Sequence, residues 1–253
     1  MGYARQFRDA QKPAANSPLL RVEGLSKSFG QAPPINSLSF SIGEDEIVGM
    51  ISGGSAAFDL ISGVIRPTSG SIEIVGEDVT ERGRQGRIGC GIVRGTLPTT
   101  LFLDLTALEN VLLGSGTRLP PMFPRRGGKT YSDEASEVLE FAGLGRLRDS
   151  RAADLSTCQQ RFLMVAVALA AKPALLLLDN PGAGLATNAL FLLASLIADI
   201  RSNGTSVFIA EHDTGPLTEV CDRVLVLDGG RLIADDTPWV IGPVRDAHFD
   251  RSQ

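Results

Sequence analysis

Ala174-Leu-Leu-Leu-Leu-Asp179-Asn180-Pro181-Gly-Ala-Gly184-Leu185 sets four consecutive leucines behind a lone carboxylate and closes on a Pro/Gly turn. An unbroken apolar run of this length suits a strand buried on both faces, in the middle of a parallel sheet. Such a strand carries Asp179 to its carboxyl end, the edge where ligands bind in open α/β sheets. On this segment alone, Asp179 is equally a cap for the helix that follows.

Working outward, residues 161–171 form a strongly apolar helix that Lys172-Pro173 stops. It is preceded by Leu155-Ser156-Thr157-Cys158-Gln159-Gln160, in which Ser156 and Gln159 have the spacing of a capping box. After the leucine strand come a helix over 188–200, ended by Asn203-Gly204, and a strand over 205–210 that runs into Glu211-His212-Asp213. A short helix at 216–221 and a hairpin over 224–234, turning at Asp228-Gly229-Gly230, follow.

The amino-terminal side begins β-rich. Strands are expected at 19–25, 35–42 and 46–51, then a loop Ser52-Gly53-Gly54-Ser55, a helix over 56–65, and strands at 71–75 and 88–93. Residues 95–130 are rich in Pro, Gly and Thr, with a helical patch at 105–113. Arg125-Arg-Gly-Gly-Lys-Thr130 matches a phosphate loop in letters only, since no buried strand feeds it. Residues 132–141 form an amphipathic helix. The order is that of an α/β nucleotide-binding domain with a helical insertion.

With 253 residues, 43% of them apolar, the chain can bury a large core. The net charge of −5 gives no support for nucleic-acid binding. Three dispersed cysteines make no disulfide framework and no metal set, which fits reduced thiols in a cytoplasmic protein. The polar amino terminus carries no secretory h-region, and no apolar run approaches the roughly 20 residues of a membrane span. Any work at a membrane is therefore expected to go through partner subunits.

Several short motifs now stand in one order. They are Val22-Glu-Gly-Leu-Ser-Lys-Ser-Phe29-Gly30, Leu60-Ile-Ser-Gly63-Val-Ile-Arg-Pro67-Thr-Ser-Gly70, Leu105-Thr-Ala-Leu-Glu-Asn110-Val, Leu155-Ser156 with Gln159-Gln160-Arg161, residues 175–184, Ala210-Glu211-His212-Asp213 and Asp222-Arg223-Val-Leu-Val-Leu-Asp228-Gly-Gly-Arg231. Together they resemble the ATP-binding subunits of ABC transporters, most of all the branched-chain amino-acid uptake branch. The resemblance implies a P-loop NTPase-like ABC ATPase fold: an α/β core, an N-terminal antiparallel β subdomain and a helical subdomain near residues 97–160. It places a tail at 1–18, the domain at 19–243 and a second tail at 244–253. It also implies ATP and Mg²⁺ as cofactors, with permease subunits and a second ATPase subunit, in a heterodimer or homodimer, as partners on the cytoplasmic face of the inner membrane.

Residue by residue, the family pattern is depleted. Its phosphate loop, Gly-x-x-Gly-x-Gly-Lys-Ser/Thr, is replaced by Ser52-Gly53-Gly54-Ser55, about four residues shorter and without the lysine, which forms either a small anion nest for the cofactor or a plain strand-to-helix turn. A charge-assisted hydrogen bond is worth about 1.5–3 kcal/mol, so losing that lysine alone costs roughly tenfold to a hundredfold in affinity. Asp59 adds a negative charge beside the loop. Asn180 replaces the glutamate that polarises the attacking water, and an amide cannot accept its proton. Leu97 stands at the position of a metal-contacting glutamine, and Ala186 at a polar position after Gly184-Leu185. The signature Leu-Ser-Gly-Gly-Gln has become Leu155-Ser156-Thr157-Cys158-Gln159. Ser156 either caps its helix or keeps a hydroxyl for a partner's phosphate. His212 matches the switch histidine that meets the γ-phosphate, Phe29 an adenine-stacking ring or a core residue, and Asp179 the acid that holds Mg²⁺, here expected to hold it weakly. The expectation is an importer subunit for branched-chain amino acids or related small solutes, impaired in ATP binding and hydrolysis. The alternatives are a non-catalytic scaffold docked on a permease, or an active ATPase with an atypical phosphate loop.

Overall fold

A computed structural model describes residues 18–30, 32–95, 101–115, 130–212 and 215–241. Strands β1 (Leu20–Phe29), β2 (Ala32–Ile42), β4 (Ser69–Ile74) and β5 (Glu77–Asp78) form an antiparallel sheet in the order β2-β1-β4-β5. Strands β3 (Ile47–Ile51), β6 (Ile92–Gly95), β7 (Leu175–Asp179), β8 (Ser206–Glu211), β9 (Arg223–Asp228) and β10 (Arg231–Asp236) form a second sheet, in the order β10-β9-β3-β8-β7-β6. Neighbours from β9 to β6 pair in parallel, and β10 closes one edge as an antiparallel hairpin with β9.

The four leucines of β7 are buried on both faces, as their run predicts. Leu175 and Leu177 enter the core that the two sheets share with helix α1 (Gly54–Ile61). Leu176 and Leu178 face the opposite side, against the helices of the later chain. Each such side chain contributes about 1.5–3 kcal/mol relative to exposure. The centre of the sheet is nevertheless β3 and β8; β7 lies one strand in from β6. Burial on both faces reflects cover by the antiparallel sheet and α1 on one side and by helices on the other, and does not require a central position.

The strand expected at 88–93 is corrected. Helix α2 (Arg84–Gly89) occupies its first two residues, a turn the next two, and β6 begins only at Ile92. The reason is Arg87, buried to 1% exposure. Its guanidinium donates to Leu60 O, to Ile61 O at 2.8 Å, to Thr80 O at 2.9 Å and, through Nε, to Arg82 O at 3.0 Å. It thereby satisfies the carbonyl end of α1. Burial pushes its pKa down to about 10.

Helices α3 (Ala107–Gly114), α4 (Tyr131–Phe141) and α5 (Thr157–Ala170) build a smaller core around Val111, Leu139 and Leu163. Thr130, the last letter of the Gly-Lys-Thr stretch, caps α4 through Asp133 N at 3.2 Å. Helix α6 (Thr187–Ser202) covers the core sheet, and α7 (Pro216–Glu219) follows β8. Among the described residues no helix is long and apolar enough to cross a membrane.

Candidate functional site

The carboxyl ends of β3, β7 and β8 meet at one edge. From β3 the chain turns through Ser52 and Gly53, both in the left-handed region at φ 64° and 75°, and α1 starts at once with Gly54. A Cβ on Gly54 would lie 2.4 Å from the Cβ of Ala210, so the first turn of α1 sits flush against β8. The expected loop Ser52–Ser55 is therefore two residues of turn and the start of a helix. No extended cradle of N–H groups separates strand from helix here.

Asp179 reaches this edge, and both its oxygens are engaged. Oδ1 accepts from the Ser55 hydroxyl at 2.7 Å. Oδ2 pairs with Arg94 Nη2 at 2.5 Å, while Arg94 Nη1 pairs with Asp59 Oδ1 at 2.5 Å. The guanidinium carbon also lies 5.9 Å from the centroid of the Phe58 ring. Arg94 and Asp179 are 12% and 13% exposed, so solvent screens this pair little. Asp59 is beside the loop as expected, but it is paired. Arg94 is the residue that sequence reasoning missed: it lies three positions before Leu97, and nothing in its neighbours names a carboxylate 85 residues away.

Beside Asp179 opens a cleft of about 210 Å³, walled by Gly53, Gly54 and Ser55 on one side and by Asp179, Asn180, Glu211 and His212 on the other. Asn180 takes the left-handed conformation, φ 49°, donates its N–H to Ala210 O at 2.8 Å and accepts from Ala183 N at 3.2 Å. The turn after β7 thus begins at Asn180. A second cleft of about 320 Å³ continues past Asn180, Glu211 and His212 toward Gly182 and Pro216. Glu211 stands between the two. Its Oε1 accepts from Gly182 N at 3.0 Å, and the His212 N–H also bonds it. Burial pushes its carboxyl above the usual carboxylate range, against these hydrogen bonds. His212 is exposed at the rim.

The signature stretch does not line either cleft. Ser156 caps α5, accepting from Gln159 N at 3.3 Å, and the Gln159 side chain accepts from Ser156 N at 2.9 Å. Thr157 is exposed and Cys158 half-buried in the first turn. One turn further on, Arg161 donates to Ala183 O at 2.8 Å and docks α5 on the turn after β7. Leu97, Asp213, the Phe29 side chain and most of Arg125–Thr130 lie outside the described residues.

The described residues offer few donors to either implied cofactor. A Mg²⁺ ion at Asp179 would have to share that carboxylate with the Arg94 guanidinium, which already neutralises it, and with the Ser55 hydroxyl. Among the described residues no three metal-binding side chains cluster. Among the described residues lining the cleft beside Asp179 there is no lysine or arginine, and two carboxylates face it.

Comparison with known proteins covers nearly the whole domain. The family described as "ABC transporter" matches residues 35–183. The chain is 32% identical over 243 residues to the high-affinity branched-chain amino acid transport ATP-binding protein LivG of Salmonella typhimurium, covering 88% of this chain and 93% of that protein. It is 30% identical over 236 residues to BraF of Pseudomonas aeruginosa, a branched-chain amino acid transport ATP-binding protein (87% and 92% covered). It is also 31% identical over 228 residues to LptB of Haemophilus influenzae, from a lipopolysaccharide export system (87% and 91%). Among solved structures it superposes on a nucleotide-free ATP-binding cassette from an ABC transporter with a TM-score of 0.81 at 23% identity, over 93% of this chain and 98% of that one. The ADP conformation of the MJ1267 cassette gives 0.77 at 24%, over 87% and 91%. These structural likenesses concern the fold.

Proposed function

The chain belongs to the ABC transporter ATP-binding family, and on that footing we propose that it is a non-hydrolysing nucleotide-binding-type subunit of an importer for branched-chain amino acids or related small solutes. The family's subunits bind ATP, typically with Mg²⁺, dimerise and pair with permeases. The importer direction and the solute class rest on the likeness to LivG and BraF, and the likeness to LptB points to export.

One observation carries the loss of hydrolysis. Asp179 is bonded by Ser55 and Arg94 where the family's acid serves a metal, and the position beside it is Asn180. With no carboxylate at Asn180 to take a proton from water and no phosphate-loop lysine, nothing in the cleft assembles a charged transition state. Thr157 and Cys158 would meet a partner's phosphate loop with side chains in place of two glycines. The chain then supplies fold and docking surface to a cytoplasmic, membrane-peripheral heterodimer whose other ATPase subunit is intact. The test is phosphate release by the purified chain with ATP and Mg²⁺. The expected rate equals the buffer background; rapid release abolished by Asp179→Asn or His212→Ala would refute the proposal.

A further inference from the structure

A cation is already built into this edge of the sheet. Arg94 projects from β6 and is held by three groups from two other elements: Asp59 and the Phe58 ring on α1, and Asp179 at the end of β7. Asp179 in turn holds the Ser55 hydroxyl on the first turn of α1. Each end of α1 is thereby tied to the core sheet. A guanidinium suits this place because its planar fork can address two carboxylates at once. Its charge is compensated by two carboxylates, so the cluster carries a net charge of −1 without any ion from solution.

We propose that Arg94 is the resident cation of this site, in place of both the lysine and the metal, and that Asp59–Arg94–Asp179 is a metal-free latch joining α1, β6 and β7. The proposal rests on assigning this edge to the family's nucleotide site. It goes further in naming what replaced the cofactor's structural role. A metal at this spot would arrive with nucleotide and leave with it; the arginine is part of the chain and stays. The elements it joins therefore stay joined whether or not nucleotide is present. The latch also predicts its own converse: without Arg94, the charges of Asp59 and Asp179 lose the cation they share, which leaves a donor set suited to a hard divalent ion.

The experiment uses the full chain and three variants: Arg94→Gln, Asp179→Asn and the double variant. Mn²⁺ binding is followed by loss of the free-ion electron paramagnetic resonance signal, and thermal midpoints are read alongside. The wild type and Asp179→Asn are expected to bind Mn²⁺ equally weakly. Arg94→Gln should bind it at least about tenfold more tightly, a gain lost in the double variant, and should melt about 5 °C lower without metal. The wild-type midpoint should be the same in millimolar ATP with Mg²⁺ as in ATP with EDTA. A wild type that binds Mn²⁺ through Asp179, or that ATP stabilises only when Mg²⁺ is present, overturns the latch. If Arg94→Gln does not fold, the comparison of wild type with Asp179→Asn decides alone, equal affinity supporting the proposal and a tenfold loss in the variant overturning it. These readouts are independent of phosphate release, so the latch and the loss of hydrolysis fail separately.

Discussion

Gly54 and Glu211 show how tightly single positions are set at this edge. A methyl group on Gly54 would meet Ala210 at 2.4 Å, and Ala210 belongs to a central strand that cannot retreat. Overpacking of this kind costs about 1–3 kcal/mol, so Gly54→Ala should lower the urea midpoint by a corresponding amount without changing the slope. A slope change would mean that α1 detaches. Glu211 is a carboxyl that burial makes harder to ionise. Its folded pKa lies above its unfolded value, so the folded chain binds the proton more tightly. The stability this confers is present at low pH and is lost as pH rises through the raised pKa. Glu211→Gln keeps an acceptor for the Gly182 N–H and removes the ionisation. The variant should therefore melt higher than the wild type at pH 8, with the gap narrowing toward pH 5. A gap that widens on acidification would show that the charge stabilises the fold.

At the scale of elements, helix starts were legible where a capping box marks them and not elsewhere: the apolar run alone puts the start of α5 at 161, four residues late, and α2 was missed. The spacing of Ser156 and Gln159 is enough to place the start of α5, because a capping box is a local device that needs no tertiary partner. The same reciprocal bonds leave the Ser156 hydroxyl occupied within its own helix. Ser156→Ala should cost about 1 kcal/mol in chemical denaturation, the ordinary loss of a cap. Asn110 is the opposite case. Nothing local announces that it is 1% exposed, accepting from Phe102 N at 2.8 Å and donating to Phe102 O at 3.0 Å and Thr106 O at 2.9 Å. It fixes the segment that leads into α3. Asn110→Asp removes the donor and turns a carboxylate toward two carbonyls, and should destabilise the chain by about 3 kcal/mol, seen as a lower urea midpoint. The false strand at 88–93 has the same origin: Arg87 reads as a surface residue until the carbonyl end of α1 arrives beside it.

Across the whole molecule, the fold was legible because it is written in repeated local patterns, whereas the site is written in pairs that only the topology brings together. The leucine run of β7 and the turn at Asn203-Gly204 declare themselves. Arg94 meets Asp59 across 35 residues and Asp179 across 85, and no periodicity connects them. On the proposal that the chain does not hydrolyse ATP, this distribution bears on whether hydrolysis could be restored. The departures from the family pattern lie on separate elements: the turn before α1, Asn180 after β7 and Thr157-Cys158 at the start of α5. Groups that act as a unit in catalysis are strongly non-additive, so replacing one of them does little while the others are missing. Asn180→Glu alone should therefore leave phosphate release at background. The new carboxylate would join Asp179 and Glu211 around a cleft of about 210 Å³ with no lysine among its described lining residues. That adds repulsion toward phosphate before it adds a base. A clear rise in phosphate release from Asn180→Glu would mean that the turn Ser52-Gly53 and the Arg94 latch still admit ATP, and that the missing glutamate was the only barrier.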